Sequence, residues 1–260
     1  MIDAYDRVWI SSIALFVLLI VFVRLGYYLG RQRRMGSGGK ENSGINNING
    51  TVFTLIVLLL GFTLADAETA FQRRENLITQ EANAIGTAYL RLDLLPKSAQ
   101  EPLRSVFREY LQARLDTYQA PVGSPAAHRA YLRSIQLQNE LWKQDTTAAL
   151  STNNPAIISL TASALNAVFE ITTTRLVAAR SHPPLVISVL LYCVALIAAM
   201  LAGYGMASGP RILWFQTILF AAALSVTFFI IKDMEYPRVG LTRVDSADRV
   251  LVDTLQGMRH

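Results

Sequence analysis

The sequence predicts an all-α membrane protein: four transmembrane helices, with an antiparallel helical bundle inserted between the second and third spans. Three observations predict it. Hydrophobic residues make up 52% of the 260 and charged residues only 17%, with a mean hydropathy of +0.31, a composition typical of membrane proteins. Trp9 to Leu29, Leu185 to Met206 and Ile212 to Ile231 are each apolar over the roughly 20 residues that cross a bilayer. Between residues 66 and 183 the pattern changes to amphipathic helices punctuated by proline and glycine, with no strand alternation.

The first span is an anchor rather than a cleaved signal peptide. Its apolar run is too long, no small-residue cleavage site follows, and Arg31-Gln32-Arg33-Arg34 comes next. Gly36-Ser37-Gly38-Gly39 then forms a flexible linker. The second span is shorter: Thr51 to Ala65 covers about 22 Å, against a hydrocarbon core of about 30 Å. It needs Ile45 to Gly50 as well, which brings in Asn46, Asn47 and Asn49; Thr54 and Thr63 add hydroxyls. Such a helix faces protein or water rather than lipid, which makes it the candidate pore wall. The alternative is a short interfacial helix with its asparagines outside the bilayer.

On the pore reading, Asn49, Thr54, Val57, Gly61 and Ala65 mark one face of polar and small residues, and Asp66 and Glu68 form acidic rings at its mouth. Acidic rings favour cations, although Arg73 and Arg74 farther along weaken that preference. The competing reading of Asp66 and Glu68 is an ordinary solvated stretch of helix. One subunit with one polar face cannot enclose a channel, so the pore logic requires a homo-oligomeric ring.

The inserted segment divides at its breakers. One helix continues from the second span to Leu95 and stops before Pro96; others cover Ser98 to Gln119, Ala126 to Ser151 and Ala156 to Ser181, ending at Pro183-Pro184. Four helices leave the membrane and return to it as a bundle. The expected domains are therefore 1–65, 66–183 and 184–231, with 232–260 as a C-terminal tail. In the third span, Ala195, Ala199 and Gly203 allow close helix approach, within the chain or between subunits.

In the first bundle helix, Phe71, Ile78, Ile85 and Leu92 recur every seven residues, flanked by Ala82, Ala88, Tyr89 and Leu95, so the helix carries one seam for burial. Arg74 and Glu81 fall on that seam, about 10 Å apart, too far to pair with each other. Each requires a partner on another helix or subunit, or else snorkels to solvent. Asn83 and Arg175 are expected to join this structural polar seam, and Gly86 to permit close contact.

Leu60-Gly61-Phe62-Thr63, Ala70-Phe71-Gln72-Arg73-Arg74, the run from Glu81 to Pro96 (EANAIGTAYLRLDLLP), Leu165-Asn166, Thr174-Arg175 and the run from Asp233 to Gly240 (DMEYPRVG) together resemble the signature of the bestrophin-like family. The resemblance covers residues 50 to 245 or so. Its distant kinship with bestrophins proper implies a homopentameric ion channel, four membrane helices per subunit and a second helix lining the pore, in a bacterial inner membrane. The departure is orientation. Bestrophins keep the corresponding domain in the cytoplasm, whereas Arg31, Arg33, Arg34 and Lys40 in the short loop after the first span argue for that loop inside and the large domain outside; Arg73, Arg74, Arg175 and Arg180, flanking the spans on the domain side, argue the other way.

The remaining chemistry is sparse. Asp233 and Glu235 form an interfacial acidic turn, but two carboxylates fall short of the six to eight oxygens of a calcium site; pairing with Arg238 or a bundle arginine is the structural reading. Arg24 snorkels from the first span. Cys193 stands alone inside the third span, and His128, His182 and His260 are isolated. No phosphate loop, nucleophile elbow or metal-ligand spacing occurs, so no cofactor, metal or enzymatic activity is expected. A net charge of +5, mostly flanking membrane segments, gives no nucleic-acid footprint. The expected partners are further copies of the chain, the lipid bilayer and inorganic ions. The rival reading is a non-conducting sensor or scaffold whose bundle binds a ligand or partner.

Overall fold

The computed structural model of the chain describes residues 4–36, 43–121, 123–181, 183–209, 211–236, 238, 240–242 and 244–259. Its helices are α1 (Ala4–Gly36), α2 (Ser43–Arg91), α3 (Lys97–Gln119), α4 (Pro125–Ser151), α5 (Pro155–Arg180), α6 (Leu185–Met206), α7 (Trp214–Met234) and α8 (Asp245–Gly257). A 3-10 turn, Leu92–Leu94, follows α2 and gives way to extended Leu95 before Pro96. Local chemistry sets the other breaks. Ser124 accepts the Ala127 N–H at 3.1 Å ahead of Pro125, and Asn154 accepts that of Ala156 at 3.0 Å ahead of Pro155, so each helix starts with a capped end and a proline that needs no partner.

Among the described residues, five helices are long and apolar enough to cross a membrane, one more than the sequence suggested: α5 joins α1, α2, α6 and α7. The chain divides into two compact units, Met1–Phe71 with His182–Thr242, and Gln72–Ser181 with Arg243–His260.

In the first unit, Leu15, Leu19 and Val23 of α1 share a core with Ile56 and Leu60 of α2, Leu191, Ala195, Ala198 and Ala199 of α6, and Ala221, Leu224, Phe228 and Ile231 of α7. The small-residue stripe of α6 meets α1 of the same chain. A Cβ at Gly203 would lie 1.9 Å from the Val23 carbonyl oxygen, and one at Gly26 would lie 1.9 Å from that of Met200. The two backbones touch, and only glycine allows it. Arg24 does not simply snorkel: its guanidinium lies over the Trp214 ring, 5.5 Å from the centroid.

In the second unit, Ile78, Ala82, Ile85 and Leu92 of α2, Leu103, Phe107 and Leu111 of α3, Leu137 and Leu141 of α4, and Leu165 and Val168 of α5 are buried. The tail expected at 232–260 is not a separate element. From Asp245 it forms α8, which buries Leu251 and Leu255, and Met258 beyond its end accepts the Tyr89 hydroxyl at 2.9 Å through its carbonyl. Val244, Leu251, Leu255 and Met258 stand at helical spacing, and that apolar stripe draws the segment onto the unit.

The α1–α6 contact gives a direct test. Gly203→Ala should lower stability by about 1–3 kcal/mol through overpacking, read as a lower Tm of the purified protein in detergent. Gly61→Ala, where a Cβ meets nothing within 4 Å, should leave Tm unchanged or slightly raised.

Candidate functional site

The candidate site has two parts, an exposed face of α2 and a buried polar cluster beside Glu81. Ile56 and Leu60 turn α2 into the membrane core, and the opposite side is left bare. Thr54, Val57, Gly61, Ala65 and Glu68, at steps of three and four, are exposed, with Asp66 beside them. Asn49 lies within α2, but its side chain falls outside the described residues, as do those of Asn46 and Asn47. The Thr54 hydroxyl donates to the Gly50 carbonyl at 3.0 Å, so it presents a satisfied polar surface. A Cβ at Gly50 or Gly61 would meet nothing within 4 Å. Thr63 is half-buried, its hydroxyl given to Leu59.

In the second unit, Gln72, Asn76, Thr79, Asn83 and Thr87 of α2 are exposed. Asn83 therefore does not belong to the buried seam. Two residues at about 100° each put it on the far side of α2 from Glu81. Gly86 makes no close helix contact either, since a Cβ there meets nothing within 4 Å.

Glu81 is fully buried. Its Oε1 accepts from Arg114 Nε at 2.6 Å and its Oε2 from Arg175 Nη1, so α3 and α5 each send one arginine to one carboxylate. Arg114 also donates through Nη2 to the Tyr118 hydroxyl. The Arg175 guanidinium lies over the Tyr118 ring, 3.9 Å from the centroid, and its Nη2 is 3.8 Å from Asp248 Oδ1 of α8. Two guanidinium groups thus face two carboxylates, which removes most of the cost of burying them. Burial disfavours the Arg114 cation, but Tyr118, Glu81 and Tyr110 outweigh it and hold its pKa above the ordinary guanidinium value. Next to the cluster the Tyr110 hydroxyl lies 3.0 Å from Thr172 Oγ1 and accepts from Gln138 at 3.2 Å; burial pushes its pKa up to about 12.

Arg74 finds a different solution from Glu81. Its Nε donates to the Ala178 carbonyl at 3.2 Å and its Nη2 to that of Ser181 at 3.0 Å, closing the C-terminus of α5. Arg114 was not singled out in the sequence, although a signal exists: Leu103, Phe107, Tyr110 and Arg114 form one buried stripe of α3, with a charge in its last place.

The acidic turn at the end of α7 is structural. Asp233, 2% exposed, accepts the backbone N–H groups of Leu241 at 2.8 Å and Thr242 at 2.9 Å. A Cβ on Gly240 would fall 2.5 Å from Asp233 Oδ1, so glycine is what lets the chain wrap this carboxylate. Glu235 pairs with Lys232, whose Nζ lies 3.1 Å from Oε1 and also donates to Ser188 at 3.2 Å. Among the described residues no group of three or more His, Cys, Asp or Glu side chains could hold a metal ion.

Neutralising Glu81 while leaving both arginines buried should be severe. Glu81→Gln is expected to cost about 3–5 kcal/mol, seen as a large fall in Tm in detergent. Arg73→Gln, at an exposed position of the same helix, should change stability by no more than about 0.5 kcal/mol.

Comparison with known proteins identifies the fold and the family. Two variants of a bacterial bestrophin homologue from Klebsiella pneumoniae match the fold, each at 13% identity. One has a TM-score of 0.67 over 96% of this chain and 98% of that one; the other has 0.68 over 95% and 99%. A further structure, of a membrane protein, matches at 12% identity and a TM-score of 0.70, over 96% and 98%. At such identities the likeness shows the fold alone. No curated protein matches the sequence significantly. The bestrophin-like domain, however, matches residues 16–248, nearly the whole chain, so this chain belongs to the bestrophin-like family of membrane proteins.

Proposed function

We infer that the chain assembles into a homo-oligomeric ring, a pentamer by its resemblance to bestrophins, and that α2 of each subunit lines a central ion pathway. The chemistry of the exposed surface carries this reading. On α1, α6 and α7 the exposed residues of the spans are large and apolar, among them Ile13, Val17, Val186, Leu190, Phe215 and Leu219, as a lipid-facing surface requires. On α2 the exposed surface includes large apolar Leu55, Leu58 and Phe62, but it also carries a stripe of Thr54, Gly61 and Ala65 with Val57 that leads to Asp66 and Glu68. Polar and small residues along one side of a membrane helix suit water and the close approach of other copies better than hydrocarbon. Asp66 and Glu68 make the pathway weakly cation-preferring, with Arg73 limiting that preference.

Four helices cross the membrane in this reading: α1, α2, α6 and α7. The exposed surface of α5 carries Ser159, Ser163, Asn166, Glu170, Thr173 and Thr174 beside apolar Leu160 and Val177, a mixture less suited to lipid than the exposed faces of α1, α6 and α7. The helices between the second and third spans, with α8, form the extramembrane domain. The basic loop after α1 puts that domain outside the cytoplasm of a bacterial inner membrane. A non-enzymatic role fits the arrangement: the buried charges of Glu81, Arg114 and Arg175 satisfy one another, and among the described residues they present no nucleophile paired with a base.

Particle mass in detergent should be that of a ring, and a monomer would sink the model. In planar bilayers the protein should conduct with weak cation preference, and Glu68→Gln should reduce that preference; strong anion selectivity would contradict the acidic-mouth assignment. A cysteine at Ser37, with Cys193 replaced by serine, should resist membrane-impermeant thiol reagents in intact cells. Labelling there would reverse the orientation.

A further inference from the structure

Arg24 sits inside the apolar run of α1, between exposed Val21 and Leu25, and its guanidinium crosses to α7, where it lies over the Trp214 ring at 5.5 Å from the centroid. The side chain is exposed, and among the described residues no carboxylate, carbonyl or hydroxyl accepts its N–H groups. A guanidinium keeps its charge and offers five donors in a fixed plane. The ring holds the cation in place and satisfies none of those donors. On a lipid-facing surface they require an acceptor from outside the chain.

The charges of the first unit are sorted between its two ends. Trp9 stacks on Phe229 at 4.4 Å and Arg24 on Trp214, so α1 and α7 run antiparallel with Arg24 at one end of the pair. The acids described in this unit all belong to the other end. Asp6 precedes Trp9, and Asp233 and Glu235 follow Phe229. Phe53 meets Phe220 at 5.7 Å, so α2 rises beside α7 and brings Asp66 and Glu68 to that same far end. At the Arg24 end, Arg31, Arg33 and Arg211 are exposed, and among the described residues no acid accompanies them. Tyr28 and Arg31 share the Arg24 face of α1, at steps of four and three, and the Tyr28 hydroxyl accepts from Gln32 at 2.9 Å, which leaves its own proton to give. The N-terminus of α7 opens here without a side-chain cap, and its dipole adds to the positive field.

Bilayer topology alone explains Arg31, Arg33 and Arg211, which lie beyond the spans. It does not explain a cation set within the apolar run and held across two helices. We propose that Arg24, positioned by Trp214, binds the phosphate of an anionic phospholipid, with Tyr28 and Arg31 beside it. The guanidinium donates two parallel N–H bonds to two phosphate oxygens. The acyl chains lie along the exposed apolar side chains of Val21 and Leu25 on α1 and Phe215 and Ile218 on α7, and this surround selects a lipid over a soluble anion. The site is independent of whether the protein conducts and of which side its extramembrane domain occupies.

The test uses the full-length protein in uncharged detergent micelles, titrated with phosphatidylglycerol, phosphatidylcholine or inorganic phosphate. Bound lipid is counted by native mass spectrometry, and Tm is followed in parallel. Phosphatidylglycerol should bind and raise Tm, while the other two should not. Arg24→Gln should weaken that binding roughly tenfold or more, the loss of two charge-assisted hydrogen bonds. Arg33→Gln, which removes the same charge from the same end, should weaken it by no more than about twofold. Arg24→Lys keeps the charge without the fork and should fall between parent and Arg24→Gln, so the site is still tested should the glutamine variant fail to fold. No phosphatidylglycerol binding by the parent, equal binding of phosphatidylcholine, or equal losses in Arg24→Gln and Arg33→Gln would each overturn the site, the last in favour of diffuse attraction to an anionic surface. A Tm rise with inorganic phosphate matching that with phosphatidylglycerol would overturn it in favour of a soluble-anion site.

Discussion

The clamp on Glu81 is the constraint around which the second unit is built. The residues that close on it, Arg114 and Arg175, lie 33 and 94 positions away along the chain, so the carboxylate is satisfied only when α2, α3 and α5 meet in one register. A slip of one residue turns a guanidinium by about 100° and leaves an uncompensated buried charge. Ion pairs of this kind contribute less to net stability than apolar packing would, and the cluster is better understood as a specifier of arrangement. Tyr118 and Asp248 extend it. Through Asp248 it reaches α8, so the chain's last helix is tied to the same charge.

Within the second unit, Asn83 is exposed and stands about 200° of rotation from Glu81 on α2, so the side of the helix that is pinned is not the side that is open. Glycine shows the same division of labour. Gly26 and Gly203 lack a side chain because a neighbouring backbone occupies the space, whereas Gly50 and Gly61 have nothing against them. Packing within one chain explains the first pair and places no demand on the second.

What could be read in advance follows the range of each interaction. The span of α6 is found at its expected residues, Leu185 to Met206, because hydropathy is a local property. The bundle helices start beside Pro125 and Pro155 for an equally local reason, a capped end followed by a residue with no N–H to satisfy. That Glu81 needed a partner was legible from its place on an apolar seam. Which residue would supply it was not, because nothing in the spacing of α2 points to position 114 or 175. Asn83 shows the opposite error: it was grouped with Glu81 by proximity in sequence, and helix geometry carries it to the other face. In α8, Leu251, Leu255 and Met258 have the right period, but a 13-residue helix takes its stability from the surface it covers, which is invisible in the segment itself.

Two fully buried carboxylates in one unit, Glu81 and Asp145, meet the same physical demand in different ways. The demand is that charge removed from water be neutralised. Two arginines neutralise Glu81, and that solution does not change between neutral and mildly acidic conditions, since guanidinium groups keep their protons throughout. Such a site fixes geometry and has no adjustable state. Asp145 is as deeply buried, but among the described residues no cation pairs with it. The first carboxylate therefore holds three helices in register under all ordinary conditions, and the second fixes no such register.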